Sequence, residues 1–150
     1  MKPFTPYINF PGGQCRPALE FYAQVFGATT NITTFAEGPA DIPTTDKNFV
    51  LHGQVIKNGV PILMASDCTV PGFEIQKGNG INFLVELDTA EEQDRLFSAL
   101  SEGGKVSMPL QNTFWGSRFG MVSDKFGTQW MLSVPASASV ESGQHQHATA

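Results

Sequence analysis

His52, Glu86 and Arg118 are the side chains of this chain best suited to acid–base, metal or anion chemistry. His52 can serve as a general base or a metal ligand, because an imidazole titrates near neutrality. It can equally be a strand histidine bonded to a neighbour. Glu86 can take up a proton or pair with His52 or Arg118, or it can stand as a solvent-facing strand carboxylate. Arg118 can grip an anionic group through its planar fork of donors, or form a structural ion pair. Trp115 is either a stacking wall beside a ligand or a packing anchor, while Trp130 reads as core. Cys15 and Cys68 are too few and too far apart for a zinc ribbon or a disulfide scaffold, and read as inert thiols. His145-Gln146-His147 lies in a tail rich in Ala, Ser and Gln and reads as solvated spacer.

Strands must carry these residues. Residues 7–10 form a short apolar strand, and Pro11-Gly12-Gly13 turns it into a helix. Pro17 falls in that helix's first turn, where its missing N–H costs nothing. Ala18, Phe21, Tyr22, Val25 and Phe26 recur at helical spacing until Gly27. Residues 29–35 are Thr-rich and favour strand, and residues 37–47 read as a surface loop. Asn58-Gly59 between two strand-like runs, 49–57 and 60–66, is a strong hairpin signal, since both turn residues need positive φ. After a Gly- and Pro-rich loop over 68–80 the order repeats. Residues 81–87 are a strand. Thr89-Ala90-Glu91-Glu92 has capping-box spacing, and Leu96, Phe97 and Leu100 give a helical apolar face. Gly103-Gly104 stops that helix, and residues 106–110 are a strand. A hairpin with a turn at residues 124–127 closes the chain. Residues 135–150 read as a disordered tail.

Strand alternation assigns faces. If Asn58-Gly59 is a two-residue turn, Lys57 pairs with Val60, and His52, Gly53 and Gln54 fall opposite Ala65, Met64 and Leu63. Leu51, Val55, Ile62 and Met64 then pack on the first helix. His52, Gln54, Leu63, Ala65 and Asp67 face a cup, joined by Tyr7 and Asn9. In the second half Ile81, Phe83, Val85 and Leu87 face the second helix, leaving Asn82, Leu84 and Glu86 for the cup. If Ser123 pairs with Thr128, Met121, Trp130 and Leu132 share the helix face. Arg118, Gly120, Val122, Gln129 and Met131 then point into the cup. The expected lining is polar but mostly uncharged, which fixes a ligand's orientation by hydrogen bonds.

Bulk composition narrows the function classes. A hydrophobic content of 41% over 150 residues suits one domain with a sizeable core. The net charge is −5 and no Lys/Arg cluster appears, so nucleic acid finds no electrostatic footprint. No apolar run approaches the roughly 20 residues of a membrane helix. Residues 1–6 hold no stretch of signal-peptide length, so a reducing, cytoplasmic setting is expected.

The repeated strand–helix–three-strand order resembles the vicinal oxygen chelate superfamily, which holds glyoxalase I, extradiol dioxygenases and bleomycin-resistance proteins. More narrowly, the chain resembles its PhnB-like branch, also labelled 3-demethylubiquinone methyltransferase-like. The matching pieces are Gly13-Gln14-Cys15-Arg16, Phe21-Tyr22, Val25-Phe26-Gly27, Leu63-Met64-Ala65-Ser66-Asp67 and Met108-Pro109-Leu110. To these is added the block from Phe114 to Trp130, which holds the spacing W-G-x-R-F-G-x-V-x-D-x-F-G-x-x-W. The resemblance implies a homodimer and a small-molecule ligand in the cup. It places metal ligands of other superfamily members at Tyr7, at Leu63 or Ala65, at Asn82 and at Met131. None of these side chains is a good ligand for a divalent ion. The label's methyl transfer wants a Gly-rich turn after a first parallel strand. Here Gly78-Asn79-Gly80 precedes a strand and opens no helix.

The expectation is therefore an α+β domain over residues 6–134, built from βαβββ modules 6–67 and 80–134 around a cup. It binds a small organic molecule, with Tyr7, Asn9, Gln54, Asn82, Trp115, Arg118 and Gln129 as contacts and His52 and Glu86 as the catalytic candidates. No cofactor is expected on the first reading. On the alternative, a divalent metal on His52 and Glu86 serves a lyase, isomerase or dioxygenase. A third option is metal-free acid–base catalysis by the same pair.

Overall fold

The computed structural model describes residues 1–136. Apart from Pro135 and Ala136, the tail expected from residue 135, with its His145-Gln146-His147, lies outside the described residues. The chain divides into two units, Met1–Gln76 and a second beginning at Lys77.

The first unit runs β1 (Tyr7–Pro11), α1 (Cys15–Phe26), β2 (Thr29–Thr34), a short 3₁₀ turn (Phe35–Glu37), β3 (Val50–Lys57) and β4 (Val60–Cys68). The second runs β5 (Phe83–Glu86), α2 (Ala90–Ser101), β6 (Lys105–Asn112), β7 (Ser117–Ser123) and β8 (Gln129–Pro135). Each unit is one four-stranded mixed sheet with one helix, and the strand orders are β1-β4-β3-β2 and β5-β8-β7-β6. In each the first strand lies parallel to the last and the other pairings are antiparallel. The two halves thus follow one path, as the repeated element order predicts. The chain is α+β.

Helix α1 begins without help from its own N-cap side chain. The carboxylate of Asp67, at the end of β4, does that work: Oδ1 accepts the N–H groups of Gly13 at 2.9 Å and Cys15 at 3.0 Å. A negative group at free N–H donors is favourable. Gly27 ends the helix at φ 64°, and Lys57 Nζ donates to the carbonyl of Phe26 at 2.8 Å. Leu19, Tyr22 and Val25 are buried on the sheet, each worth roughly 1.5–3 kcal/mol. Gly53 of β3 lies directly beneath Leu19, and a Cβ there would collide with the Leu19 side chain.

Helix α2 is capped by Thr89, whose hydroxyl accepts the Glu92 N–H at 3.1 Å. It buries Gln93, Leu96, Phe97 and Leu100. Gly120 of β7 takes the place Gly53 has in the first unit: a Cβ there would stand 2.9 Å from the Phe97 ring and 2.8 Å from Leu110.

Two registers differ from the expectation. Lys57 does pair with Val60, but Gly53 pairs with Ala65 and Gln54 with Met64, after a bulge next to Ile56. Pro61 is the reason, because it has no N–H for the ladder and is tolerated at bulges. Ile62 becomes the extra residue. Leu63, Ala65 and Asp67 therefore turn to α1, where all are buried, and Met64 turns away. Leu51 sits unpaired in a second irregularity between β2 and β3 and packs on Gly38.

In the second unit Ser123 pairs with Gln129, not Thr128. Asp124 causes the slip. Its Oδ1 accepts the N–H groups of Phe126 at 2.8 Å and Thr128 at 3.0 Å, and its Oδ2 accepts Trp130 Nε1 at 2.9 Å. The turn then spans residues 124–128. A one-residue slip moves every side chain of a strand to the other face. Arg118, Gly120 and Val122 point to α2, and Met121 points away. Trp130 and Leu132 hold the helix face as expected. Ile81 lies before β5 and is exposed instead of packing on α2.

Candidate functional site

The open face of the first sheet, opposite α1, gathers four of the expected residues. Tyr7 pairs with Met64 and Met64 with Gln54, so these share one row across the sheet. Asn9 pairs with Ser66, and the Ser66 hydroxyl donates to Asn9 Oδ1 at 3.1 Å. His52 pairs with Thr33 of β2. Tyr7 Oη and His52 Nδ1 share a hydrogen bond of 3.0 Å. Their rings stack with centroids 5.6 Å apart and planes at 28°. Tyr7 is 48% exposed, so the pair meets solvent. His52 is thus a face residue, half-buried and bonded to a neighbour.

The open face of the second sheet is built differently. Leu84, Met131, Met121 and Met108 pair in one row that crosses all its strands. Glu86, exposed at the end of β5, pairs with Ser133, which pairs with Phe119. Trp115 stands edge-on to Phe119 at 5.8 Å and is 58% exposed. That contact favours a wall beside the open face over a buried anchor. Gln129 donates through Nε2 to the Ile81 carbonyl at 3.1 Å. Asn82 is half-buried one residue before β5.

Arg118 does not lie on the open face expected of it. It lies on the helix side, where Nη1 donates to Gln93 Oε1 at 2.9 Å and Nη2 pairs with Asp94 Oδ1 at 2.8 Å. Fully buried Gln93 completes the cluster by donating through Nε2 to the carbonyls of Arg118 at 2.9 Å and Leu132 at 3.0 Å. Arg118 ties α2 to β7.

Comparison with known proteins agrees with this architecture. A family model described as 3-demethylubiquinone-9 3-methyltransferase matches residues 2–133. The chain belongs to that family. Protein YjdN of Escherichia coli K12 is 33% identical over 145 residues, which cover 88% of this chain and 95% of YjdN. The crystal structure of PA1353 from Pseudomonas aeruginosa superposes with a TM-score of 0.79 at 35% identity, over 90% of this chain and 98% of that one. The PhnB protein of Bacillus cereus gives 0.73 at 25% identity, over 89% and 99%. A glyoxalase/bleomycin resistance protein/dioxygenase superfamily member from Sphaerobacter thermophilus, at 19% identity, shares the fold with a TM-score of 0.54 over 89% and 98%.

The metal positions carried over from the wider superfamily do not suit a divalent ion in this 3-demethylubiquinone-9 3-methyltransferase family member. Tyr7 offers a phenol already bonded to His52, Leu63 and Ala65 are apolar and face α1, and Asn82 and Met131 offer an amide and a thioether. A tight site wants imidazole, carboxylate or thiolate. Among the described residues no group of three or more His, Cys, Asp or Glu could hold a metal ion. Gly78-Asn79-Gly80 lies in a loop leading to β5, and no helix opens on it.

Burial sets the titration of two side chains. It pushes the Cys15 thiol up to about 12, helped by the Asp67 carboxylate and opposed by Arg16. Burial also lowers the Lys77 ammonium, against the pull of Asp124. The sequence reading missed Met64, Ser66 and Gln93. Pro61 beside the hairpin was the available sign for Met64 and Ser66, since it signals a bulge. Nothing in the sequence marked Gln93, which sits among the apolar positions of α2.

Proposed function

We propose that this chain binds a small organic molecule on the open face of its first sheet, without a metal triad. Tyr7, Asn9, His52 and Gln54 supply the hydrogen bonds and Met64 the apolar contact. The observation that carries the reading is the Tyr7–His52 pair: two stacked, bonded rings that are open to solvent and surrounded by neutral polar side chains. Ligand sites commonly combine a few placed polar groups with flat apolar surface. Methyl transfer, the activity in the family's name, is not favoured, because the only G-x-G of the chain opens no helix for a cofactor. We place the protein in the cytoplasm, in keeping with free Cys15 and Cys68, and as a homodimer, a state that light scattering reads as about twice 16.2 kDa.

The test is a small-molecule thermal-shift screen on the wild type, Tyr7→Phe and His52→Ala. Compounds that stabilise the wild type and lose their effect in His52→Ala support the reading. Compounds that stabilise all three proteins equally contradict it.

A further inference from the structure

We infer that the Tyr7–His52 pair is a proton-linked receptor for an organic oxyanion, an aromatic carboxylate being the class that best fits. The inference rests on the ligand-binding reading above and adds the charge and shape of the ligand.

Tyr7 Oη and His52 Nδ1 are 3.0 Å apart, so one proton lies between them. With a neutral imidazole, the phenol either donates to Nδ1 and leaves N–H at Nε2, or accepts from Nδ1 and turns its own O–H outward. In both tautomers the pair presents one outward donor. A protonated imidazole must donate from Nδ1, which frees the phenol O–H, and it keeps N–H at Nε2. The pair then presents two outward donors and a positive charge. Among the described residues Tyr7 is the one hydrogen-bond partner of the His52 ring, through Nδ1, and Nε2 makes no hydrogen bond to them.

The surroundings make that charge decisive. Toward His52 stand Tyr7 from β1, Asn31 and Thr33 from β2, and Met64 and Ser66 from β4. Of these only Tyr7 carries an ionisable group. Among the described residues, the strands of this sheet place no carboxylate, lysine or arginine beside His52 on this face. An anion landing here is neutralised only if His52 takes a proton from solvent. By linkage the anion raises the affinity of His52 for that proton, and the proton raises the affinity for the anion. The near-parallel rings, at 28°, and the thioether of Met64 in the same row suit a flat apolar body behind the carboxylate.

Benzoate is the probe and benzamide its uncharged counterpart. Benzoate stays ionised above about pH 5, so any dependence between pH 6 and 8 belongs to the protein. NMR titrations of the full chain should show benzoate affinity falling as pH rises, by up to about tenfold per pH unit above the imidazole pKa. The His52 ring signals should titrate at higher pH when benzoate is present, while benzamide affinity stays flat. His52→Asn should remove the slope. Tyr7→Phe should keep it and weaken benzoate by about tenfold through the lost second donor. A flat benzoate profile, or a slope that survives in His52→Asn, overturns the inference. If benzamide shifts the signals of this face and benzoate does not, the oxyanion class fails and the ligand-binding reading stands. If neither shifts them at pH 6, the oxyanion class also fails, and the thermal-shift screen decides the broader reading.

Discussion

The two sheets follow the same path but present unlike open faces. The first carries Tyr7, Asn9, His52, Gln54 and Ser66; the second carries the row Leu84–Met131–Met121–Met108. Their helix faces, by contrast, solve the same problem with matching parts. A glycine lies under a large side chain of each helix, Gly53 under Leu19 and Gly120 under Phe97. A buried polar group fastens each helix to its sheet. In the first unit a sheet carboxylate, Asp67, reaches the helix N-terminus; in the second a helix amide, Gln93, reaches the sheet carbonyls. Packing constrains the buried side, so the repeat persists there. On the open side the two units differ in chemistry.

Breaking the fasteners should have the largest effect. Asp67→Ala leaves the N–H groups of Cys15 and Val50 without their acceptor in a buried place, and that of Gly13 in a part-buried one. It should cost about 4 kcal/mol in urea unfolding, and Gln93→Leu about 2 kcal/mol. Equal losses would mean that the two fasteners are equivalent. Next come the glycines: Gly53→Val and Gly120→Val should each cost about 1–3 kcal/mol by overpacking beneath the helix. A loss at one site alone would show that the units do not share this contact. Arg118→Ala should cost about 1 kcal/mol, because its partner Asp94 is largely exposed, and should leave ligand binding unchanged.

Cys15 adds a pH effect to the first unit. Its ordinary pKa is 9.0 and the fold raises it to about 12. Above pH 9 the unfolded thiol ionises while the folded one stays protonated, so this contribution is full below pH 9 and is lost as pH rises toward 12. Unfolding free energies of wild type and Cys15→Ala should therefore diverge in that window. The smallest expected effect is on the open faces, where Tyr7→Phe and Met121→Leu should each change stability by no more than about 0.5 kcal/mol.

The sequence made the element order, the Asn58-Gly59 turn, the Thr89 cap and the alternation of β8 legible, because each depends on local chemistry. The placing of Tyr7, Asn9, His52 and Gln54 on one face was legible for the same reason. What failed was pairing between strands. Pro61 forced a bulge that turned Leu63 and Ala65 inward, and the Asp124 carboxylate lengthened a turn by one residue and carried Arg118 to the helix side. Both depend on where hydrogen bonds go in three dimensions, and strand periodicity does not record that. Gln93 was hidden for a related reason, since a buried amide at a core position shows its purpose only when the carbonyls it meets are known.

The most direct test of the contrast between the faces is NMR mapping of a compound from the thermal-shift screen, with methionine methyl and histidine ring signals observed. Shifts are expected at His52 and Met64 with Met108, Met121 and Met131 unmoved, and these shifts should be lost in His52→Ala. Shifts confined to the Met108–Met121–Met131 row, with His52 unmoved, would contradict this expectation.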